Sequence, residues 1–239
     1  MNSLEADLVV KKMVKNSIDL NAPCALLVKK ATFNSYQLRF EKKFQRELYR
    51  EEVIDTIVKE VKADDILVST TGVASRELFE IREKKSQGHN KDFLTVGGMG
   101  HASQIALGIS LFKKNRMVFC IDGDGALLMH MGALAINANN AGGNFNHIVI
   151  NNSSHDSVGG QPTVGDKIDI TGLAMSSGYL WAKKVTTKEK LIKLINQMRD
   201  FKGPALLEVQ VKKGFRKDLG RPTISPLDNK YSFMEFLEK

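Results

Sequence analysis

The sequence predicts an α/β domain, a parallel sheet flanked by helices. From Asp65 onward, short apolar runs alternate with segments of helical period, the rhythm of successive β–α units. Glycine-rich turns stand directly behind several of those runs, where a parallel sheet holds its ligand loops. A chain of 239 residues, 42% hydrophobic and 26% charged, has the size and composition for a sizeable buried core. The same figures exclude a disordered chain, a collagen-like repeat and a small disulfide scaffold. Neither an internal repeat nor a low-complexity tract interrupts the pattern.

A helix is expected over residues 3–19, followed by a strand in PCALLVKK from Pro23. From Tyr36, YQLRFEKKFQRELYREE mixes both charge signs without an apolar stripe, which reads as a solvated linker rather than a nucleic-acid arm. EEVIDTIVKEVK forms the next helix and DILVST the first strand of the regular alternation. SRELFEIREKK is a helix with Ser75 at its N-cap. DFLTV is a short strand running into GGMG, HASQIALGISLF a helix, RMVFCI a buried strand, ALLMHMGALAINANN a helix and HIVI a strand. After a long polar loop comes the strand YLWAKKV. Thr186 and Glu189 then form a capping-box pattern that opens the helix TTKEKLIKLINQMRD. PALLEVQV is the last strand, and GFRKDLGRPTISP reads as an irregular basic tail. The expected divisions are residues 1–35, a linker over 36–48 and the main domain over 49–239.

The formal net charge is +8, from 35 Lys and Arg against 27 Asp and Glu, and favours an anionic partner. Nucleic acid is set aside because no aromatic–basic motif accompanies the charge. A membrane is set aside because no apolar stretch nears the ~20 residues of a spanning helix. The beginning of the chain lacks the charged-then-apolar layout of an export signal. Cys24 and Cys120, each within an apolar run, suit reduced buried thiols in a cytoplasmic protein.

Three features carry chemistry. CIDGDGA, residues 120–126, follows a strand and opens a helix, where glycines admit an anion to backbone N–H groups and an acid can hold a divalent metal. INNSSHDS, residues 150–157, ends the next strand, and its Asn pair offers neutral oxygens that Mg²⁺ accepts beside a carboxylate. Each alone is compatible with an ordinary turn. Their separation of one helix plus one strand brings both loops to the same edge of adjacent parallel strands. VGGMGHAS, residues 96–103, adds a glycine turn just before the GDG strand.

GDG followed by NN at this distance resembles the thiamine-diphosphate-binding domain of thiamine-dependent enzymes. STTGVASRELFEIRE, DFLTVGGMGHASQIALGI, IDGDGALLMHMG, NNSSHDSVGGQPTVG and RKDLGRP resemble, in order over roughly residues 50–225, the carboxyl-terminal half of the phosphonopyruvate decarboxylase family. The resemblance implies the diphosphate domain of the thiamine-diphosphate-binding fold, with thiamine diphosphate and Mg²⁺ as cofactors. It implies decarboxylation of phosphonopyruvate to phosphonoacetaldehyde; the alternatives are a subunit acting on sulfopyruvate or another 2-oxo acid, and a non-catalytic cofactor-binding remnant. Asp124, the Asn152 amide oxygen and the Ser154 carbonyl would ligate the metal. Gly123, Gly125 and Ala126 belong to the turn whose N–H groups meet the diphosphate, with Thr70, Thr71 and Gly72 placed to touch it or to pack their loop. Met99 would bend the cofactor, and the Gly97 carbonyl would accept from its aminopyrimidine. The family frame selects Asp124 over Asp122, which becomes a strand-end residue.

Around this set stand further candidates. His155 and Asp156 could face a substrate carboxylate or departing CO₂, or stabilise their loop. His101 reads as a helix cap, Met129 and Met131 as packing. Arg76, Arg216 and Arg221 are candidates to grip a phosphonate. The family's enzymes also need a pyrimidine-binding domain with an activating glutamate, and no glutamate here stands in that context. Residues 1–35 resemble only the end of such a domain. The resemblance therefore implies one half of a split or truncated enzyme that works with a pyrimidine-binding domain or subunit in a homo- or hetero-oligomer.

Overall fold

Alternate residues of the strands face opposite ways, and here both directions are apolar, so the strands require cover on both sides. The computed structural model describes residues 3–29, 32–34 and 45–239, and the chain divides into two units, residues 1–43 and 44–239.

In the first unit, α1 (Ser3–Asp19) forms as expected but buries none of its residues. Asp7 and Lys11 pair at 2.7 Å one turn apart along it. Asn21 ends the following turn in the left-handed region, at φ 45°. The strand expected from Pro23 is absent: residues 23–29 carry no ladder, and Leu27 is 92% exposed. An apolar run becomes a strand only with a neighbour to pair, and residues 23–29 pair with none among the described residues. Cys24 is correspondingly exposed, not buried as expected. Most of the mixed-charge stretch, residues 35–44, lies outside the described residues.

The second unit contains α2 (Arg50–Glu60), β1 (Ile66–Ser69), α3 (Val73–Lys84), β2 (Asp92–Leu94), α4 (Ala102–Phe112), β3 (Val118–Gly123), α5 (Asp124–Met129), α6 (Ala133–Asn140) and β4 (Phe145–Asn151). A two-residue hairpin follows, β5 (Ser154–His155) against β6 (Gln161–Pro162). Then come α7 (Ile170–Ser176), β7 (Trp181–Val185), α8 (Lys188–Asp200), β8 (Ala205–Gln210) and α9 (Pro226–Glu238). Six strands form one all-parallel sheet in the order β2-β1-β3-β4-β8-β7. Leu67, Phe119, Ile121, Ile148 and Leu207 face α2, α3 and α8. Ile66, Val68, Val118, Cys120, Val149 and Leu206 face α4, α6, α7 and α9. The expected fold class is therefore the observed one.

The differences in detail have local causes. The first described residues of the second unit fall in the stretch expected to be linker: Leu48 is buried and bridges Val211, and Arg46 donates to the carbonyls of Asn151 and Val211. Helix α3 begins at Val73, two residues before Ser75, whose hydroxyl is spent on the Thr70 carbonyl at 2.7 Å. The helix expected over 126–140 is two helices, broken at His130–Gly132, where glycine weakens helix propensity. That break tucks His130 beneath Gly100, where an added Cβ would meet the imidazole at 2.7 Å. The N-cap of α8 is Thr187, not Thr186, and its side chain makes no cap bond; the Lys188 N–H instead donates to Glu47. Two helices were not expected. Helix α7 is only seven residues long, and α9 follows the basic tail with Ser225 accepting from the Asp228 N–H.

Two polar devices finish the β2 edge. Asn229 of α9 accepts from the Leu94 N–H at 3.0 Å and donates to the Asp92 carbonyl at 2.9 Å, as a further strand would. Arg82 grips Asp92 with two bonds of 2.7 and 2.8 Å, both side chains fully buried. Arg82→Met should cost about 3–5 kcal/mol in chemical denaturation, because it leaves the Asp92 carboxylate buried and unpaired. Arg82→Met with Asp92→Leu should recover much of that loss.

Candidate functional site

The strand order reverses between β1 and β3, and their carboxyl ends diverge into a crevice. One cleft there is bordered by Thr70, Thr71, Met99, Asp122, the GDG turn, Asn152 and residues 154–157. The register explains the meeting: Gly123 pairs with Ile150, so the loops after β3 and β4 leave the sheet side by side. Thr71 Oγ1 accepts from the Gly97 N–H at 3.1 Å, joining the first loop to the glycine turn. Gly97, Gly98 and Gly100 all take positive φ, which carries Met99 to the cleft.

Asp124 is the first residue of α5 and is 1% exposed. Its carboxylate accepts the Thr163 hydroxyl and has no ion-pair partner among the described residues. Burial pushes its carboxyl above the usual range, against the hydrogen bonds that favour the ion. Gly125 is tight against His155: an added Cβ would lie 2.5 Å from the imidazole. The N–H groups of Gly125 and Ala126 stand in the first turn of α5, where the helix favours negative charge. Asp122 is as buried but otherwise committed. One oxygen accepts the Gly123 N–H at 2.9 Å; the other faces His147 at 3.3 Å, and His147 reaches the Tyr179 hydroxyl on its far side.

The two asparagines differ in the same way. Asn151 is wholly buried and donates to the Gly165 carbonyl and Glu208. Asn152 donates its Nδ2 to Asp156 at 2.7 Å, which turns its Oδ1 towards the Ser154 N–H at 3.0 Å. Asp156 Oδ2 also accepts from Arg50 at 3.0 Å and from the Gly214 N–H at 2.9 Å. Arg50 in turn holds Glu77 with two bonds. Burial opposes its charge, but the Glu77 and Asp156 carboxylates keep Arg50 firmly protonated. Asp156 therefore orients Asn152 in this structure rather than standing free as an acid.

Several expected roles change. His101 occupies the N-cap position of α4 without a side-chain cap bond, and its ring lies 4.2 Å from that of His130. Met129 and Met131 are 59% and 40% exposed, so neither is core packing. Arg216 is taken by Glu51, Glu80 and Asp218. Arg50, Glu77 and Thr163 escaped the sequence reading. Only Thr163 left a trace there, inside the QPT run after the Asn pair.

A buried carboxylate without a cation stabilises the protonated form of the fold, so its contribution fades as pH rises through the raised pKa. Asp124→Asn should accordingly raise the midpoint of thermal unfolding at neutral pH. Each kcal/mol relieved would read as roughly 2–4 °C in calorimetry on a domain of this size.

Residues 70–209 match the family profile described as thiamine pyrophosphate enzyme, C-terminal TPP binding domain. The chain is 33% identical over 184 residues to a phosphonopyruvate decarboxylase of Streptomyces viridochromogenes, covering 77% of this chain and 45% of that protein. It is 28% identical over 191 residues to sulfopyruvate decarboxylase subunit beta of Methanocaldococcus jannaschii, covering 80% of this chain and 97% of the subunit. The chain thus spans less than half of the first relative and nearly all of the second. Among solved structures, 4-hydroxybenzoylformate decarboxylase of Rhodococcus jostii superimposes with a TM-score of 0.59 at 18% identity, covering 75% of this chain and 36% of that one, a likeness of fold. Among the described residues no helix is long and apolar enough to cross a membrane. The chain belongs to the thiamine pyrophosphate enzymes, through their C-terminal TPP binding domain, and is related to phosphonopyruvate decarboxylase.

Proposed function

We propose that this chain is the diphosphate-binding half of a thiamine-diphosphate- and Mg²⁺-dependent decarboxylase that converts phosphonopyruvate to phosphonoacetaldehyde. The observation that carries the reading is Asp124, a buried carboxylate without an ion-pair partner among the described residues, at the start of a helix beside the Asn152 amide. A carboxylate, an amide oxygen and the Ser154 carbonyl are the hard oxygen donors that Mg²⁺ takes while keeping further positions for phosphate oxygens. Gly123, Gly125 and Ala126 open the turn to a diphosphate; Thr70 and Thr71 bound it from β1, and Gly97 and Met99 form the wall for the rest of the cofactor. When bound, thiamine diphosphate supplies the electron sink for loss of CO₂ from a 2-oxo acid. This chain's residues would hold and orient it: Asp124 contributes the negative charge, Asp156 fixes the Asn152 amide by accepting from its Nδ2, and His155 lies against Gly125.

A pyrimidine-binding domain or subunit completes the reading. Its support is the coverage: this chain aligns with under half of a phosphonopyruvate decarboxylase, but with nearly all of a protein named as one subunit. That same coverage favours sulfopyruvate as the alternative substrate.

Calorimetric titration with Mg²⁺ and thiamine diphosphate should show binding that Asp124→Ala abolishes and Asp122→Asn leaves largely intact. Asp156→Ala should weaken Mg²⁺ by roughly 10–100-fold through the freed Asn152 amide. Affinity should fall as pH drops through the raised Asp124 pKa, since the metal needs the ionised carboxylate. The opposite ranking of Asp122 and Asp124 would displace the metal site.

With saturating cofactor, the chain alone should leave phosphonopyruvate unchanged, and an added pyrimidine-binding subunit should start CO₂ release. Robust turnover by the chain alone would refute the split-enzyme reading. Cofactor binding without turnover in any pairing would favour a non-catalytic remnant.

A further inference from the structure

A second cavity of about 340 Å³ shares Thr71, Val73 and Ser157 with the cofactor cleft. We infer that this chamber is an anion subsite, built for the tetrahedral oxyanion, phosphonate or sulfonate, at the far end of the 2-oxo acid. The inference rests on the proposed decarboxylase reading for the identity of the substrate, but its own ground is the chamber's lining. Among the described residues that lining includes Arg76 and Arg221 and no carboxylate. The neighbouring cavity of about 600 Å³ is the contrast, with Glu51, Glu52, Asp55 and Glu77 offsetting its cations.

The two arginines keep their charge available. Arg76 donates to the carbonyls of Leu219 and Gly220, neutral acceptors that fix the guanidinium without cancelling it, and lies 5.8 Å from the Phe215 ring. Arg221 has no ion-pair partner among the described residues. Arg216, close by in sequence, is spent on three carboxylates. A guanidinium matches a phosphonate or sulfonate by paired N–H···O bonds.

Hydroxyl groups supply the rest. Thr95, just beyond β2, is 8% exposed, and its Oγ1 has no hydrogen-bond partner. A buried hydroxyl left unpaired is destabilising, and a ligand oxygen in this chamber would relieve it. Ser157 Oγ accepts from the Val73 N–H at 3.2 Å and keeps its own proton to donate. That contact depends on Gly72, at φ 95°: an added Cβ would come within 2.2 Å of the Ser157 hydroxyl. Ser157 and Thr71 therefore form a wall shared by the two compartments. A three-carbon 2-oxo acid is short, so a ketone in the cleft and an oxyanion in the chamber suit a single molecule across that wall.

The test titrates methylphosphonate, methanesulfonate and acetate into the full chain and follows the backbone amides of Val73, Thr95 and Arg221 by NMR. A tetrahedral oxyanion should give saturable shifts at these positions without added cofactor, and acetate should not. Arg221→Gln should weaken it by roughly tenfold or more. Thr95→Val should also weaken it while leaving the thermal midpoint unchanged or higher, because an orphaned hydroxyl is removed. Both variants should bind Mg²⁺ and thiamine diphosphate as the parent does. Tighter binding of methylphosphonate or of methanesulfonate names the tail. Absence of saturable shifts, or equal affinity in Arg221→Gln, overturns the inference. Failure of the parent chain to bind thiamine diphosphate would overturn the decarboxylase reading and leave the oxyanion titration standing.

Discussion

Parallel strands all end on one edge, and a strand order that turns back between β1 and β3 leaves that edge split. The site depends on this constraint. Because Gly123 pairs with Ile150, the loop carrying Asp124 and the loop carrying Asn152 start level with each other. Because β1 borders the same split, Thr70 and Thr71 close its far side. The two apolar layers cover the central strands β1, β3, β4 and β8 on both faces.

On that frame, charge is sorted by partner. Asp122, Asp156 and Asp92 are each tied to a specific donor or cation: the Gly123 amide and His147, Arg50, and Arg82. Asp124 accepts from the Thr163 hydroxyl but has no ion-pair partner among the described residues, and it opens a helix bordering the cleft. Buried acids that are paired serve the architecture. Asp124, unpaired and pushed towards protonation by burial, is the residue on which the proposed metal site rests.

The sheet was legible because its strands bury both faces and therefore read as unbroken apolar runs, as in Val118–Ile121 and Ile148–Ile150. The same cue misled at Pro23, where the apolar run has no ladder to join. Helix α9 was invisible because its two buried residues are one asparagine and one phenylalanine, which make no stripe. The meeting of the GDG and NN loops was legible from spacing, since one helix and one strand separate them, whereas Asp124 was singled out from Asp122 by the family resemblance. The Arg50–Asp156 bond was not: its partners lie more than a hundred residues apart, joined only by the return of the chain near Gly214. Ser75 looked like a cap because capping is read locally, whereas Ser157 approaches the start of α3 from a distant loop.

The two ends of the sheet carry one more consequence. At β2 the Asn229 amide occupies the backbone groups that a neighbouring strand would seek, and at β7 the exposed Lys183 and Lys184 set charge along the border, Lys184 paired with Glu208. Each border thus carries a device that discourages a further strand, a side-chain amide at one and lysine charge at the other. The second unit should therefore show little tendency to polymerise through its strands, even at high concentration. Association must instead be decided by side chains on the helices and loops, which can tell one surface from another.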